Sequence, residues 1–225
     1  RAVDLLLEAF AVRLTQGYAG AAPLLTRALE LSLTLDVTND DADLWRWLAG
    51  GRAGAIVALE LWDAESWHAL AAVQAQFARD TGALVHLQYA LNFLAIAHLF
   101  AGDLTTAAQL IDEDRLIAEV TGNPPVGYAA MALLAWQGQE APASELIEAT
   151  SRAATARGLG RMVSFADYAS SVLYNGLGRH DAARDVRAFT NDRVGARVAL
   201  AGLDALERRS ALALVPGCAR PLHVV

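Results

Sequence analysis

The sequence predicts an all-α fold, a solenoid of about five antiparallel helical hairpins. Three observations lead there. Alanine and leucine dominate, proline is scarce and aromatics make up only 7% of the 225 residues, a composition that favours helix over strand. A Gly-x4-Ala mark with an apolar residue three positions later recurs through the chain: Gly17, Ala22, Leu25; Gly102, Ala107, Leu110; Gly138, Ala143, Leu146; Gly178, Ala183, Val186; and, with tryptophan substituted, Trp62, Trp67, Leu70. These marks stand at 17, 62, 102, 138 and 178, steps of 45, 40, 36 and 40 residues, the range of two-helix repeats. A second mark runs in phase: Thr81-Gly82, Thr121-Gly122 and Arg157-Gly158 close successive units.

Each part of the mark has a physical reason. Glycine permits the backbone angles needed to leave the first helix. A small alanine lets the second helix approach the first, and the apolar residue three later fills the seam on the same face. The hairpins fall at about 1–35, 40–80, 83–121, 124–157 and 160–188. The stretch Leu91 to Gly122 shows the pattern most fully: an almost wholly apolar helix, a tight turn at Gly102-Asp103, then a helix apolar on one face through Ala107, Leu110, Ile111 and Ile117. On that second helix Asp112, Glu113 and Asp114 read as a solvated face. The longest connection, Asp36 to Asp41, is acidic and suits a turn and an N-cap. Gly50, Gly51 and Gly54 are expected to weaken or bend the helix Ala42 to Leu61. The repeat domain is therefore 1–187. Residues 188–225 read as a degenerate extra helix, Val198 to Arg208, with a frayed tail beyond Pro216-Gly217.

Charge narrows the function classes. The net charge is −7, concentrated in residues 1–178, where 10 arginines face 20 acids. An acidic bulk argues against wrapping nucleic acid. All 18 basic residues are arginine, and the single cysteine, Cys218, has no partner for a disulfide. A reducing, cytoplasmic setting is the expectation. Thr81 to Gly102 and Val120 to Gln139 contain no Asp, Glu or Arg, but His86, Gln88, Asn92 and His98 spread round the first and Asn123-Pro124-Pro125 interrupts the second. Both are expected to be buried helices and not membrane spans. The chain begins with Arg1, with no secretory leader pattern, and is expected to be cut from something longer.

No catalytic constellation is legible. A P-loop requires lysine, which the chain lacks, and Gly50-Gly51-Arg52-Ala53-Gly54 lies inside a helical pattern. The histidines His68, His86, His98, His180 and His223 form no H-E-x-x-H motif and no i, i+4 pair, so no metal is assigned to them. No serine stands in G-x-S-x-G. Of Trp45, Trp47, Trp62, Trp67 and Trp136, most are expected in the core. The register supplies the one set of binding candidates. Ten residues before the marks at 62, 102, 138 and 178 stand Arg52, Asn92, Tyr128 and Tyr168, and equivalent positions in stacked hairpins share a face. With Tyr89 these are the candidate groove residues: Arg52, Tyr89, Asn92, Tyr128 and Tyr168.

Four stretches also carry a resemblance: LWDAESWHALAAVQAQFARDTGAL at 61–84, HLFAGDLTTAAQLIDE at 98–113, LLAWQGQEAPASELIEAT at 133–150 and VLYNGLGRHDAA at 172–183, with WRWLAG at 45–50. Over roughly residues 1–187 the chain resembles the tetratricopeptide-like (TPR-like) helical region of large ATP-binding LuxR-type transcriptional regulators, the MalT-like group. The resemblance implies a bacterial cytoplasmic regulator whose non-catalytic helical segment binds an inducer or protein partner. In that group ATP is bound by a preceding P-loop domain and DNA by a following helix-turn-helix domain, neither of which is in this sequence. No cofactor, metal or membrane contact is expected of the segment itself, and homo-oligomerisation is compatible with it. The alternative is a free-standing TPR adaptor that binds peptides and controls no DNA.

Overall fold

The computed structural model describes residues 2–34 and 53–189, and among these there is no strand. The helices in chain order are α1 (Ala2–Gln16), α2 (Tyr18–Leu33), α3 (53–60), α4 (Ala64–Asp80), α5 (Leu84–Ala101), α6 (Leu104–Thr121), α7 (Tyr128–Trp136), α8 (Glu140–Ala156), α9 (Gly160–Gly176) and α10 (His180–Phe189). The acidic connection, Arg52, Trp45, Trp47 and the expected extra helix and tail lie outside the described residues. The chain divides into two compact units, Arg1–Ala129 and Ala130–Val225. The sequence carries no signal of a boundary at that point.

One turn geometry is used at six of the helix junctions. In each, a backbone N–H bonds back to the carbonyl five residues earlier: Asp63 to Ala58, Ala83 to Ala78, Asp103 to His98, Gln139 to Leu134, Leu159 to Ala154 and Arg179 to Tyr174, all at 2.8–3.0 Å. This is the closing bond of a Schellman motif, which requires a left-handed residue just before its donor. Gly82, Gly102, Gly138, Gly158 and Gly178 occupy that place with φ of 65–84°. In the sixth turn the residue is Trp62, at φ 61°, the non-glycine exception among the described residues. The marks at 62, 102, 138 and 178 are thus one kind of turn. Gly17 differs: with φ 84° and ψ −174° it is the N-cap of α2. The first copy is accordingly displaced, and the alanine that packs without exposure is Ala21, not the expected Ala22.

The residues after the turns do what their size suggests. Ala107 and Ala143 are 0% exposed and Ala183 2%, so the second helix of each hairpin lies against its neighbour at alanine distance. Asp63 and Asp103 start α4 and α6 by accepting the N–H of Ser66 (2.9 Å) and of Thr106 (3.0 Å). Gly54 has a packing role. A methyl group there would stand 3.0 Å from Ser32 Cβ and 3.3 Å from Leu70 Cδ1, so α3 passes too close to α2 and α4 for a larger residue.

Within the first unit α1 packs on α2, α2 on α4, α4 on α5 and α5 on α6. Helix α5 is the centre of this unit. Leu87, Leu91, Leu94 and Leu99 are each less than 9% exposed, and burying a leucine fully contributes about 1.5–3 kcal/mol. By length and composition alone α5 is apolar enough to cross a membrane, with mean hydropathy 1.4. Half of its residues are buried among the neighbouring helices. Arginine–carboxylate contacts join elements distant in sequence: Arg13 to Glu60 at 3.0 Å and bidentate Arg79 to Glu113 in the first unit, bidentate Arg179 to Glu140 in the second. In the second unit α9 packs against both α8 and α10.

The turn predicts opposite effects for two substitutions. Nothing lies within 4 Å of a methyl group built on Gly138, so Gly138→Ala meets only the backbone penalty of a left-handed residue, about 1–2 kcal/mol. It is expected to lower the thermal midpoint. Trp62→Gly removes the same penalty and is expected to raise it, by about 2–4 °C for each kcal/mol released. Thermal unfolding followed by circular dichroism reads both signs.

Candidate functional site

The structure distributes the five groove candidates over different environments. Arg52 is outside the described residues. Tyr89 is 38% exposed on the outer side of α5, and Tyr128 is half-buried at the start of α7. Asn92 and Tyr168 are buried, at 3% and 4% exposure. Positions ten residues before the marks therefore do not share one accessible face. The mark fixes where a helix ends, whereas exposure at a given position depends on which neighbours that helix packs against.

Asn92 belongs to a buried polar cluster. It stands one turn after Gln88 on α5, so both side chains lie on one face, and both are nearly inaccessible. The Asn92 amide donates to Asp114 Oδ2 at 3.0 Å and its Oδ1 accepts the Ala129 N–H at 2.9 Å. Asp114 Oδ2 also accepts the Val126 N–H at 2.8 Å, and Gln88 Nε2 reaches the Pro124 carbonyl at 3.5 Å. Three side chains from two helices thus bind the backbone of the proline-containing segment 123–129, whose N–H and C=O groups have no helix to satisfy them.

Asp114 corrects the sequence reading directly. It is 2% exposed and not solvated. Burial pushes its carboxyl above the ordinary value, and donation from Gln88, Val126 and Asn92 offsets part of that push. The period of α6 carried the signal: position 114 lies seven residues after Ala107 and three after Ile111, inside the apolar stripe. An acid in an apolar stripe marks a buried polar role.

The second unit holds an open cleft of about 390 Å³, lined by Ile147, Glu148, Ser151 and Arg152 of α8, Asp167 and Ser170 of α9, and Val186 of α10. Two second helices, α8 and α10, form its walls and α9 its floor. Burial pushes the Asp167 carboxyl upward, with no opposing contribution. Glu148 and Arg152 pair at 3.4 Å on the exposed rim. A half-buried carboxylate flanked by two serines suits a small polar ligand that presents a cationic or N–H donor group. Next to Asp167 along the helix, Tyr168 turns into the core instead, where it stacks on Phe165 with ring centroids 5.9 Å apart. Burial pushes its phenol up strongly, and the Trp136 side chain opposes this in part.

Among the described residues no three His, Cys, Asp or Glu side chains are placed to share a metal ion. No family model, no curated protein and no solved structure matches this chain.

Two outcomes are expected at the buried cluster. Asn92→Ala leaves the Ala129 N–H without a partner and removes one of the two donors to Asp114 Oδ2, and leaving a buried donor unsatisfied costs about 1–3 kcal/mol. Urea unfolding is expected to show it as a lower midpoint. For Asp114, a raised folded pKa means that the folded state holds the proton more tightly than the unfolded state. Stability therefore falls as pH rises from the ordinary carboxylate value through the raised one, then levels off. The stability difference between wild type and Asp114→Asn, measured across acidic pH, is expected to change in that window and in that direction. A difference that is flat with pH refutes the assignment.

Proposed function

We propose that this chain is the non-catalytic sensing segment of a LuxR-type transcriptional regulator of the MalT-like group. In this reading it is a TPR-like solenoid that binds a small-molecule inducer or a protein partner. It couples that event to ATPase and DNA-binding domains outside this sequence, in the bacterial cytoplasm. The observation that carries the reading is the turn reused at Trp62, Gly102, Gly138 and Gly178, which gives four successive hairpins one geometry. A protein built by repeating a two-helix module offers long surfaces and shallow clefts for recognition, and the cleft floored by Asp167 has that character. The wording of residues 61–84, 98–113, 133–150 and 172–183 supplies the regulator family. Signal transfer then requires two states that the ligand binds unequally, since a ligand with equal affinity for both shifts nothing.

The coding sequence on either side of this chain tests the family. A P-loop domain upstream and a helix-turn-helix domain downstream are expected, and finding neither leaves the TPR adaptor, which binds peptides without DNA. Binding is tested by a thermal-shift screen of small cationic and zwitterionic metabolites against the full chain. A hit is expected to lose at least about tenfold in affinity in Asp167→Asn, as removal of a charged hydrogen-bonding partner does. A hit insensitive to Asp167→Asn but lost in Tyr89→Ala moves the site to the first unit.

A further inference from the structure

The five histidines look scattered in the sequence, but packing of α4 on α5 brings two of them together. His68, on the second turn of α4, and His98, on the last turn of α5, have their Nε2 atoms 3.3 Å apart. Their ring centroids are 4.9 Å apart with the planes at 80°. Collinear, head-on rings would hold their centroids farther apart than that at this nitrogen separation, so the two rings meet at an angle. An imidazole nitrogen bonds zinc at about 2.0–2.1 Å, so two of them on one tetrahedral ion stand about 3.3–3.4 Å apart. The observed spacing is that of an N–H···N contact between the rings and equally that of two ligands on one ion.

The surroundings support the same use. His98 Nδ1 lies 3.4 Å from Asp103 Oδ2. A carboxylate near Nδ1 favours the tautomer in which Nε2 keeps its lone pair, the usual arrangement behind a metal-bound histidine. Asp103 is itself fixed, because its other oxygen caps α6 through the Thr106 N–H at 3.0 Å. The Thr106 side chain, then its N–H, hold the Asp103 carboxyl below the ordinary value, with smaller help from His98. His68 is exposed and the His98 side chain is 20% exposed, so an ion and its waters reach both. The pair is also particular to this junction. Six after and four before successive marks stand Pro23 with Ala58, His68 with His98, Ala108 with Leu134, and Ser144 with Tyr174.

We propose that His68 and His98 bind a divalent transition-metal ion of the zinc and copper class through their Nε2 atoms, with Asp103 as the positioning residue behind His98. Nitrogen donors select this class over magnesium and calcium, which take oxygen ligands. Two imidazoles leave coordination positions that water fills. Because His68 belongs to the second hairpin and His98 to the third, the ion joins one hairpin to the next and stabilises the first unit by mass action. The inference is independent of the regulator reading.

The test uses the full chain without an affinity tag, stripped with a chelator and titrated with zinc sulfate near neutral pH. One saturable equivalent is expected by calorimetry, together with a rise in thermal midpoint. His68→Ala and His98→Ala are each expected to weaken binding at least tenfold and to abolish the midpoint rise. Asp103→Asn is expected to weaken binding by about 10–100-fold. His180→Ala, in the second unit, is expected to bind as wild type. Copper(II) paramagnetic resonance reads the ligands directly: coupling to two nitrogens in wild type and to one in either histidine variant. Circular dichroism of each metal-free variant separates loss of a ligand from loss of fold. No saturable zinc binding, or binding unchanged in both histidine variants, overturns the proposal.

Discussion

The constraint on which the described structure depends is the hydrogen bond that closes six of its helix junctions, from a backbone N–H to the carbonyl five residues back. It forces the chain to leave one helix through a left-handed residue and to enter the next within two positions. Once that bond forms, the chain turns back into the next helix, and after Gly102, Gly138 and Gly178 the alanine five residues on comes to lie in the seam. The apolar stripes then face each other because the turn has fixed their relative rotation. Side-chain hydrophobicity supplies the driving force, but it is non-directional. The turn supplies the direction.

Trp62 shows how strongly the surrounding structure holds this turn. A bulky residue accepts the left-handed conformation there, at φ 61°, while remaining 50% exposed. Its neighbour Asp63 caps α4, and Trp67 lies buried against Phe100 at a centroid distance of 5.6 Å. The bonds on both sides of Trp62 are those of the glycine turns, so the geometry is imposed by the helices and not by the residue that occupies the turn. That inversion explains why the mark could be followed through a copy that lacks glycine.

The connection between α6 and α7 shows the opposite economy. Gly122 ends α6 with a bond to Ala118 alone, and Pro124 and Pro125 prevent a helical continuation. Backbone groups freed in this way need partners inside the molecule, and Gln88, Asn92 and Asp114 provide them. A buried carboxyl is tolerable there because a backbone and an amide donor meet its Oδ2. Two of the four residues that made α5 look unsuited to lipid, Gln88 and Asn92, bind this segment.

The sequence by itself determined the helical class, the positions of the turns and the apolar face of each helix. These are local: they follow from the conformational freedom of glycine, from helix capping and from a period of 3.6 residues, all of which act within a few residues along the chain. Tertiary structure alone decided which polar side chains would be inside. Asn92 and Tyr168 were legible as polar residues at register positions, but not as buried ones, because burial depends on a neighbouring helix 20 to 40 residues away; Asp114, inside the apolar stripe of α6, carried a local sign of burial. The meeting of His68 with His98 has the same cause. Their separation of 30 residues matches no local period, and only the packing of α4 against α5 brings the two rings together.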